Sequence, residues 1–272
     1  MNTELIRKRK SVRTYKAEPI PMELMNQVKT YLKKDNGLFD VPVDFTILNV
    51  KKDGIGSPVI VGADTYVASK VRKQKNAELS FGYAFEKFIL YVTSLGLGSV
   101  WLAATIDRKS FEKAIDLKDD EIMPAVTPFG YAAEKRSIRE NLMRKGMKSD
   151  SRLPFSSLFF QDTFQTPLNE TDAGIWQFPL EMVRLAPSAT NKQPWRVIVQ
   201  KDRVHFYEKK TETVGYAKES FGDIQKVDLG IALCHFEIAA QERGLSGKWI
   251  QSDPNITTLE NTEYMATYEL EV

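Results

Sequence analysis

The sequence predicts an α+β fold with a mixed sheet, organised as two fused units. One observation is a repeat. Gly82-x-Ala84-x-x-x-Phe88, Gly96-Leu97 and Trp101 return 148 residues later as Gly230-x-Ala232-x-x-x-Phe236, Gly244-Leu245 and Trp249, with six identities in 20 ungapped positions. Another is that predicted strands and helices alternate while some strands follow one another as hairpin-like pairs. The last is a matched start: Pro21-Met-Glu23 opens a helix in the first unit and Pro179-Leu-Glu181 opens one in the second. A chain of 272 residues has room for two units of about 130. We place them at 1–160 and 161–272. A duplicated unit has an internal interface, and cofactor sites often form at such interfaces.

The elements follow in order. Residues 2–10 read as a short polar helix that breaks near Ser11. Thr14 to Pro21 is extended, because Pro19 and Pro21 disfavour helix. The helix opened by Pro21 carries Leu24, Val28, Tyr31 and Leu32 at helical spacing. Asp44–Val50 reads as a strand, Lys51–Ser57 as a charged, glycine-rich turn, and Pro58–Gly62 as a second strand. Asn76–Leu95 is the long apolar helix of the repeat, stopped at Gly96-Leu-Gly98 because glycine tolerates the left-handed cap. Val100–Thr105 is then a strand, Asp107–Ile115 a helix capped at Asp107 or Ser110, and Met123–Tyr131 a proline-broken strand. Residues 134–172 are basic, then polar, and form the junction. In the second unit a helix ends at Ala186-Pro187. Strands follow at Trp195–Gln200 and Val204–Tyr207, then the long helix Asp223–Arg243, then strands at Lys248–Gln251 and Tyr264–Val272.

Composition excludes several classes. Apolar residues make up 42% and charged residues 27%, with a net charge of +2, so no general case for nucleic acid arises. Cys234 is the one cysteine, and His205 and His235 are the two histidines. No intrachain disulfide is available, a His/Cys metal cage is not expected, and a reducing, cytoplasmic setting fits. No secretory signal is visible behind Arg7-Lys-Arg-Lys10. Phe88 to Ile106 runs 19 residues without a charge, but Gly96 and Gly98 interrupt it and the repeat copy carries Glu242, Arg243 and Lys248. It reads as a buried helix followed by a buried strand, not a membrane span.

Two segments carry chemistry. Arg9-Lys-Ser-Val-Arg13 gathers two guanidiniums, an ammonium and a hydroxyl just past a short helix. A phosphate offers up to two charges and three strong acceptors, and each charge-assisted bond contributes about 1.5–3 kcal/mol. The competing reading is a solvated basic N-terminus. Ala186-Pro-Ser-Ala-Thr-Asn-Lys-Gln-Pro-Trp195 is a proline-bounded loop of small polar residues between a helix and a strand. Small side chains let a planar ligand lie against backbone, and Ser188 and Asn191 offer donors and acceptors. The competing reading is an ordinary helix-to-strand connection.

Together these strings resemble the FMN-dependent nitroreductase family. Gly96-Leu-Gly-Ser-Val-Trp-Leu-Ala-Ala104 is similar to its glycine-leucine turn and following strand. Lys148-Ser-Asp-Ser-Arg-Leu-Pro154 is similar to its C-terminal phosphate-binding stretch. The layout resembles the fused, pseudo-dimeric branch of the family, which Asp228-x-Gly-Ile-Ala-x-Cys-His-Phe236 also fits. The fold implied is nitroreductase-like: two fused repeats, each with a mixed, mainly antiparallel sheet flanked by helices.

In ordinary members two chains pair, and each FMN is held by the basic motif of one and the loop of the other. Here the basic motif occurs in the first half alone, and residues 34–44 do not match the loop. The loop occurs in the second half alone, whose start at Thr171–Trp176 has no basic cluster. The resemblance therefore implies one FMN per chain at the inter-repeat interface, with the second pseudo-site lost. Arg9, Lys10, Ser11, Arg13 and Arg152 would hold the phosphate and lower ribityl chain, with Lys148 a weaker candidate beside Asp150. The backbone of Ala103 and Ala104 would face the flavin N5 and O4 edge, where many members have glycine or Glu-Gly. Pro187, Ser188, Ala189 and Asn191 would lie against the ring and ribityl.

The implied activity is that of an FMN-dependent NAD(P)H oxidoreductase: a hydride passes from NADH or NADPH through FMN to a small planar, electron-poor acceptor such as a nitroaromatic or quinone. No catalytic side chain and no metal are implied, and no nucleic-acid or membrane partner. The internal pair does what a homodimer does elsewhere, so a monomer becomes possible. The alternative is a flavin-binding sensor or store without turnover, which the Ala103-Ala104 departure keeps open. Cys234 beside His235 is not read as a nucleophile pair, because adjacent helical residues point about 100° apart. His235 aligns with Lys87 and belongs at the periphery or the repeat interface. Trp101 and Trp249 read as core, with Trp101 close enough to the expected flavin to touch it. Arg72-Lys-Gln-Lys75 reads as solvated.

Overall fold

The computed structural model describes residues 1–34, 37–134, 151–211 and 221–271. Its helices are α1 (Thr3–Lys8), α2 (Met22–Leu32), α3 (Val50–Asp53), α4 (Ala77–Ser94), α5 (Arg108–Ala114), α6 (Phe155–Leu158), α7 (Gln177–Arg184) and α8 (Ile224–Glu242). The first sheet comprises β1 (Asp44–Asn49), β2 (Thr65–Arg72), β3 (Gly98–Ser99), β4 (Glu121–Ile122) and β5 (Val126–Gly130). Its order is β1-β2-β5-β3, with β4 also on β2, and all these pairings are antiparallel. The second contains β6 (Phe159–Gln161), β7 (Trp195–Val199), β8 (Arg203–Lys209), β9 (Gly247–Ile250) and β10 (Thr262–Leu270). Its order is β6-β7-β8-β10-β9, with β6 parallel to β7 and the rest antiparallel. The expected α+β architecture of two sheets flanked by helices is present.

Between the sheets, α4 and α8 pack against each other. Both are apolar nearly all round, as a helix buried on every side must be. The contact has an internal two-fold character. A Cβ on Gly82 would lie 2.0 Å from the Val227 carbonyl oxygen, and one on Gly230 would lie 2.2 Å from the Leu79 carbonyl oxygen. Val227 and Gly230 are Leu79 and Gly82 displaced by the repeat length, so the two contacts are reciprocal. The glycine shared by both copies is thus explained: the backbones meet there.

Several expected elements differ. Pro58–Gly62 is no strand. Gly62 is left-handed (φ 80°), Val61 is 55% exposed, and residues 13–15 pair there through single bonds. The true partner of β1 is β2, which begins three residues later and includes Arg72. Val100–Thr105 holds only one bridge, Leu102 to Val126, after which the chain leaves the sheet. The described end of the junction contains α6 and β6, because Phe155, Leu158, Phe159 and Phe160 are buried. The expected boundary at 160/161 therefore falls inside β6, a strand of the second sheet. The helix expected at Pro179 begins at Gln177, with the proline in its first turn. Among the described residues no helix is long and apolar enough to cross a membrane.

Candidate functional site

A cavity of about 560 Å³ lies between the halves. Its walls include Arg9, Lys10, Ser11 and Arg13, then Trp101 through Ala104, then Arg152, then Pro187 through Asn191, with Asp228 and Ile231 from α8. Among the described residues, every site residue expected from sequence lines it: Arg9, Lys10, Ser11, Arg13, Ala103, Ala104, Arg152, Pro187, Ser188, Ala189 and Asn191. Lys148 lies outside the described residues.

The basic segment is held by backbone bonds. Ser11 bridges Ser99 in parallel, Val12 N–H donates to Ser99 O (2.9 Å), Tyr15 N–H to Val61 O (2.8 Å) and Lys16 N–H to Tyr131 O (2.9 Å). Gly98 makes room for it, since a Cβ there would lie 2.8 Å from a Val12 methyl. The second copy has Ser246 at this position and no basic segment to accommodate. Among the described residues, five cations line the cavity (Arg7, Arg9, Lys10, Arg13 and Arg152) against one carboxyl, Asp228. The buried Nε of Arg9 has no hydrogen-bond partner among them, and its nearest carboxylate oxygen, on Glu86, is 3.9 Å away.

The loop from the other half is strained. Thr190, Asn191 and Gln193 have φ of 50°, 58° and 51°. A β-branched threonine there is a genuine outlier, and each such residue costs about 1–3 kcal/mol. Side chains over-determine the shape. Ser188 Oγ accepts from Gln193 N–H (2.9 Å), Asp228 accepts from Ala189 N–H (3.0 Å to each oxygen), and Asn191 Nδ2 donates to Ser151 O (3.0 Å). Gln193 Oε1 accepts from Leu153 N–H (2.9 Å), tying Arg152 to the loop.

The first half keeps part of this loop's backbone but not its chemistry. Phe39 and Asp40 are consecutively left-handed (φ 54° and 57°), like Thr190 and Asn191. Ser80, the repeat equivalent of Asp228, accepts from Leu38 N–H (2.9 Å) as Asp228 does from Ala189. Leu38 and Phe39 pack into the core of the second half.

Beyond Leu102 the chain runs as bends. Among the described residues neither the Ala103 nor the Ala104 N–H donates to a protein acceptor. Behind this wall sits Glu86, fully buried. Its Oε2 accepts from Trp101 Nε1 (2.9 Å) and its Oε1 is 3.0 Å from His235 Nε2. His235 Nδ1 is 3.1 Å from Met182 O, which can only accept, so Nδ1 carries a hydrogen. The Nε2–Oε1 contact must then hold one further proton, on imidazolium or on carboxyl. His235 therefore stands at the repeat interface and, with Glu86, joins the halves. Cys234 is buried, and burial pushes its thiol up. Among the described residues no group of three or more His, Cys, Asp or Glu side chains is arranged to hold a metal.

Glu86, Gln193, Thr190 and Asp228 were not expected in the site. A single acid inside an apolar helical run, as in Phe85-Glu-Lys-Phe88 or Val227-Asp-Leu-Gly230, is the signal that could have found two of them.

The sequence matches the family model described as "Putative TM nitroreductase" over residues 2–240. The chain belongs to this nitroreductase family. The fold is that of a Thermotoga maritima MSB8 protein described as a putative nitroreductase, with a TM-score of 0.63 and 22% identity over 99% of this chain and 94% of that one. A Parabacteroides distasonis protein described as "Putative NADH dehydrogenase/NAD(P)H nitroreductase" is 24% identical over 49% of this chain and 88% of its own (TM-score 0.42). A Bacteroides fragilis nitroreductase with bound FMN is 21% identical over 50% of this chain and 90% of its own (TM-score 0.38). No curated protein matches the sequence.

Proposed function

We infer that this chain is an FMN-dependent NAD(P)H oxidoreductase with one flavin per chain, acting on a small planar, electron-poor acceptor such as a nitroaromatic or quinone. The observation that carries the reading is a single cavity, within the size range of small-ligand sites, that combines both motif segments, one from each half. The residues present fit FMN. The cations outnumber acids as a phosphate dianion requires, Arg9 has a buried Nε without a hydrogen-bond partner among the described residues, and the Ala103 and Ala104 N–H groups lie beside apolar walls without a protein acceptor among those residues.

In this reading Arg9, Lys10, Arg13 and Arg152 bind the phosphate, and Ser11 adds a hydroxyl to the ribityl chain. Pro187, Ser188, Ala189 and Asn191 lie against ring and ribityl on a loop too braced to collapse. The Ala103 and Ala104 N–H groups donate to the ring edge. FMN, when bound, supplies the hydride chemistry, and the chain orients it and excludes water. One internal pair of repeats suffices, so a monomer is competent. The test is anaerobic addition of NADPH, then NADH, to FMN-reconstituted protein. Bleaching of the flavin band is expected. Bound flavin that neither reductant bleaches would instead fit a sensor or store.

A further inference from the structure

Asp228 is buried (3% exposed) and lines the cavity beside Ala189. Its counterpart Ser80 shows that anchoring the loop needs only a neutral acceptor. The carboxyl therefore brings something beyond anchoring. One N–H, from Ala189, reaches both its oxygens, and it has no other hydrogen-bond partner among the described residues.

The surrounding charges oppose ionisation. Burial raises its pKa most; the Ala189 N–H then acts in the opposite direction, and the charges of Asp223, at the start of α8, and Glu208, on β8, raise it further. Lys210 and Lys226 pair with Glu263 farther out, and Glu78 of α4 accepts from the Asp223 N–H. The cavity cations Arg7, Arg9, Lys10, Arg13 and Arg152 belong to the other half or to the 151–153 segment, and among the described residues none forms an ion pair with Asp228. A buried carboxyl with one donor and two acids as its main charged neighbours keeps its proton.

We propose that Asp228 is a ligand-binding residue that presents a carboxylic O–H to an acceptor atom, oxygen or ring nitrogen, of the planar molecule in the cavity. One oxygen takes the Ala189 N–H and the other donates inward. This rests on the flavin reading, and the acceptor atom belongs either to the flavin or to the second substrate. On ionisation the donor is lost and a negative charge faces the ligand, so binding weakens as pH rises.

The experiment compares wild type, Asp228→Asn and Asp228→Ser from pH 5 to 9. Asparagine keeps the Ala189 contact and an N–H donor without titrating. Serine keeps the anchor, on the precedent of Ser80, without the second donor. One arm measures FMN affinity of the apoprotein by flavin fluorescence. The other measures binding of 4-nitrobenzoate to FMN-loaded protein by difference spectra. In whichever arm contains the partner atom, Asp228→Ser binds about tenfold more weakly than wild type, the worth of one such bond, while Asp228→Asn stays near wild type. Asp228→Ser is weaker than both at pH 5, and its ratio to Asp228→Asn does not change with pH. Loss in the first arm assigns the flavin and loss in the second alone assigns the substrate. Asp228→Ser that binds as tightly as wild type at pH 5 in both arms would overturn the proposal while leaving the flavin reading intact. Wild type that binds no FMN at any pH removes that reading and this one with it.

Discussion

Gly82→Ala tests whether the repeat glycine is there for packing. By helix propensity alone the change stabilises, since alanine is better than glycine inside a helix by about 0.8–1 kcal/mol. The structure predicts the opposite sign. The new Cβ would sit 2.0 Å from Val227 O and 3.1 Å from Gly230 Cα, both backbone atoms that no rotamer change can move. Restoring ordinary van der Waals separation requires α4 and α8 to part by more than about 1 Å. Overpacking of this kind costs about 1–3 kcal/mol and here falls on the central helix pair, so the net effect remains destabilising after the propensity gain. For a chain of this size each kcal/mol lowers Tm by roughly 2–4 °C. Because Val227, Asp228 and Ile231 line the cavity from the same stretch of α8, FMN affinity should fall as well. Gly230→Ala should behave alike, since its contact is reciprocal. The assay is thermal unfolding followed by circular dichroism, with and without FMN. A raised Tm for either variant would refute the packing argument.

Other outcomes follow from the same geometry. Arg13→Ala and Asn191→Ala, in opposite halves, should each lower FMN retention after gel filtration. If either leaves the flavin content unchanged, the cross-half site is misplaced. Glu86→Ala leaves the Trp101 indole N–H without its buried acceptor and His235 Nε2 without its partner, so urea denaturation should show a loss of about 2–4 kcal/mol. Burial, then the charge of Asp223, raises Glu208 to about 7 from the usual 4.5, so the folded state binds this proton more tightly than the unfolded chain. Its contribution is fully present below about pH 4.5 and is lost as pH rises through about 7, at a cost of about 3 kcal/mol. Glu208→Gln should remove that decline from the pH dependence of unfolding free energy, and a variant that keeps it would rule out this assignment.

The long helices, their glycine stop and the strands from Trp195 onward were legible because each is fixed by a local pattern. What escaped was set by tertiary partners. Runs of β-branched residues mislead: Val59, Ile60 and Val61 look like a strand, yet Pro58 and the left-handed Gly62 leave them a loop, and β1 selects Thr65–Arg72 instead. Val100–Thr105 has strand composition, but its backbone leaves the ladder after Leu102 and faces the cavity. The motif residues were readable as strings. Glu86 and Asp228 were not, because a buried acid acquires its role from what packs around it. Sequence also concealed that residues 38–41 retain the backbone turn of residues 189–192, since Phe39 and Asp40 share no side-chain chemistry with Thr190 and Asn191.

We propose one flavin site assembled from two unequal copies. Titration of apoprotein with FMN, with protein concentration fixed by amino-acid analysis, tests it most directly. Saturation at one FMN per 272-residue chain is the predicted result. Saturation at two, or no binding, would contradict it.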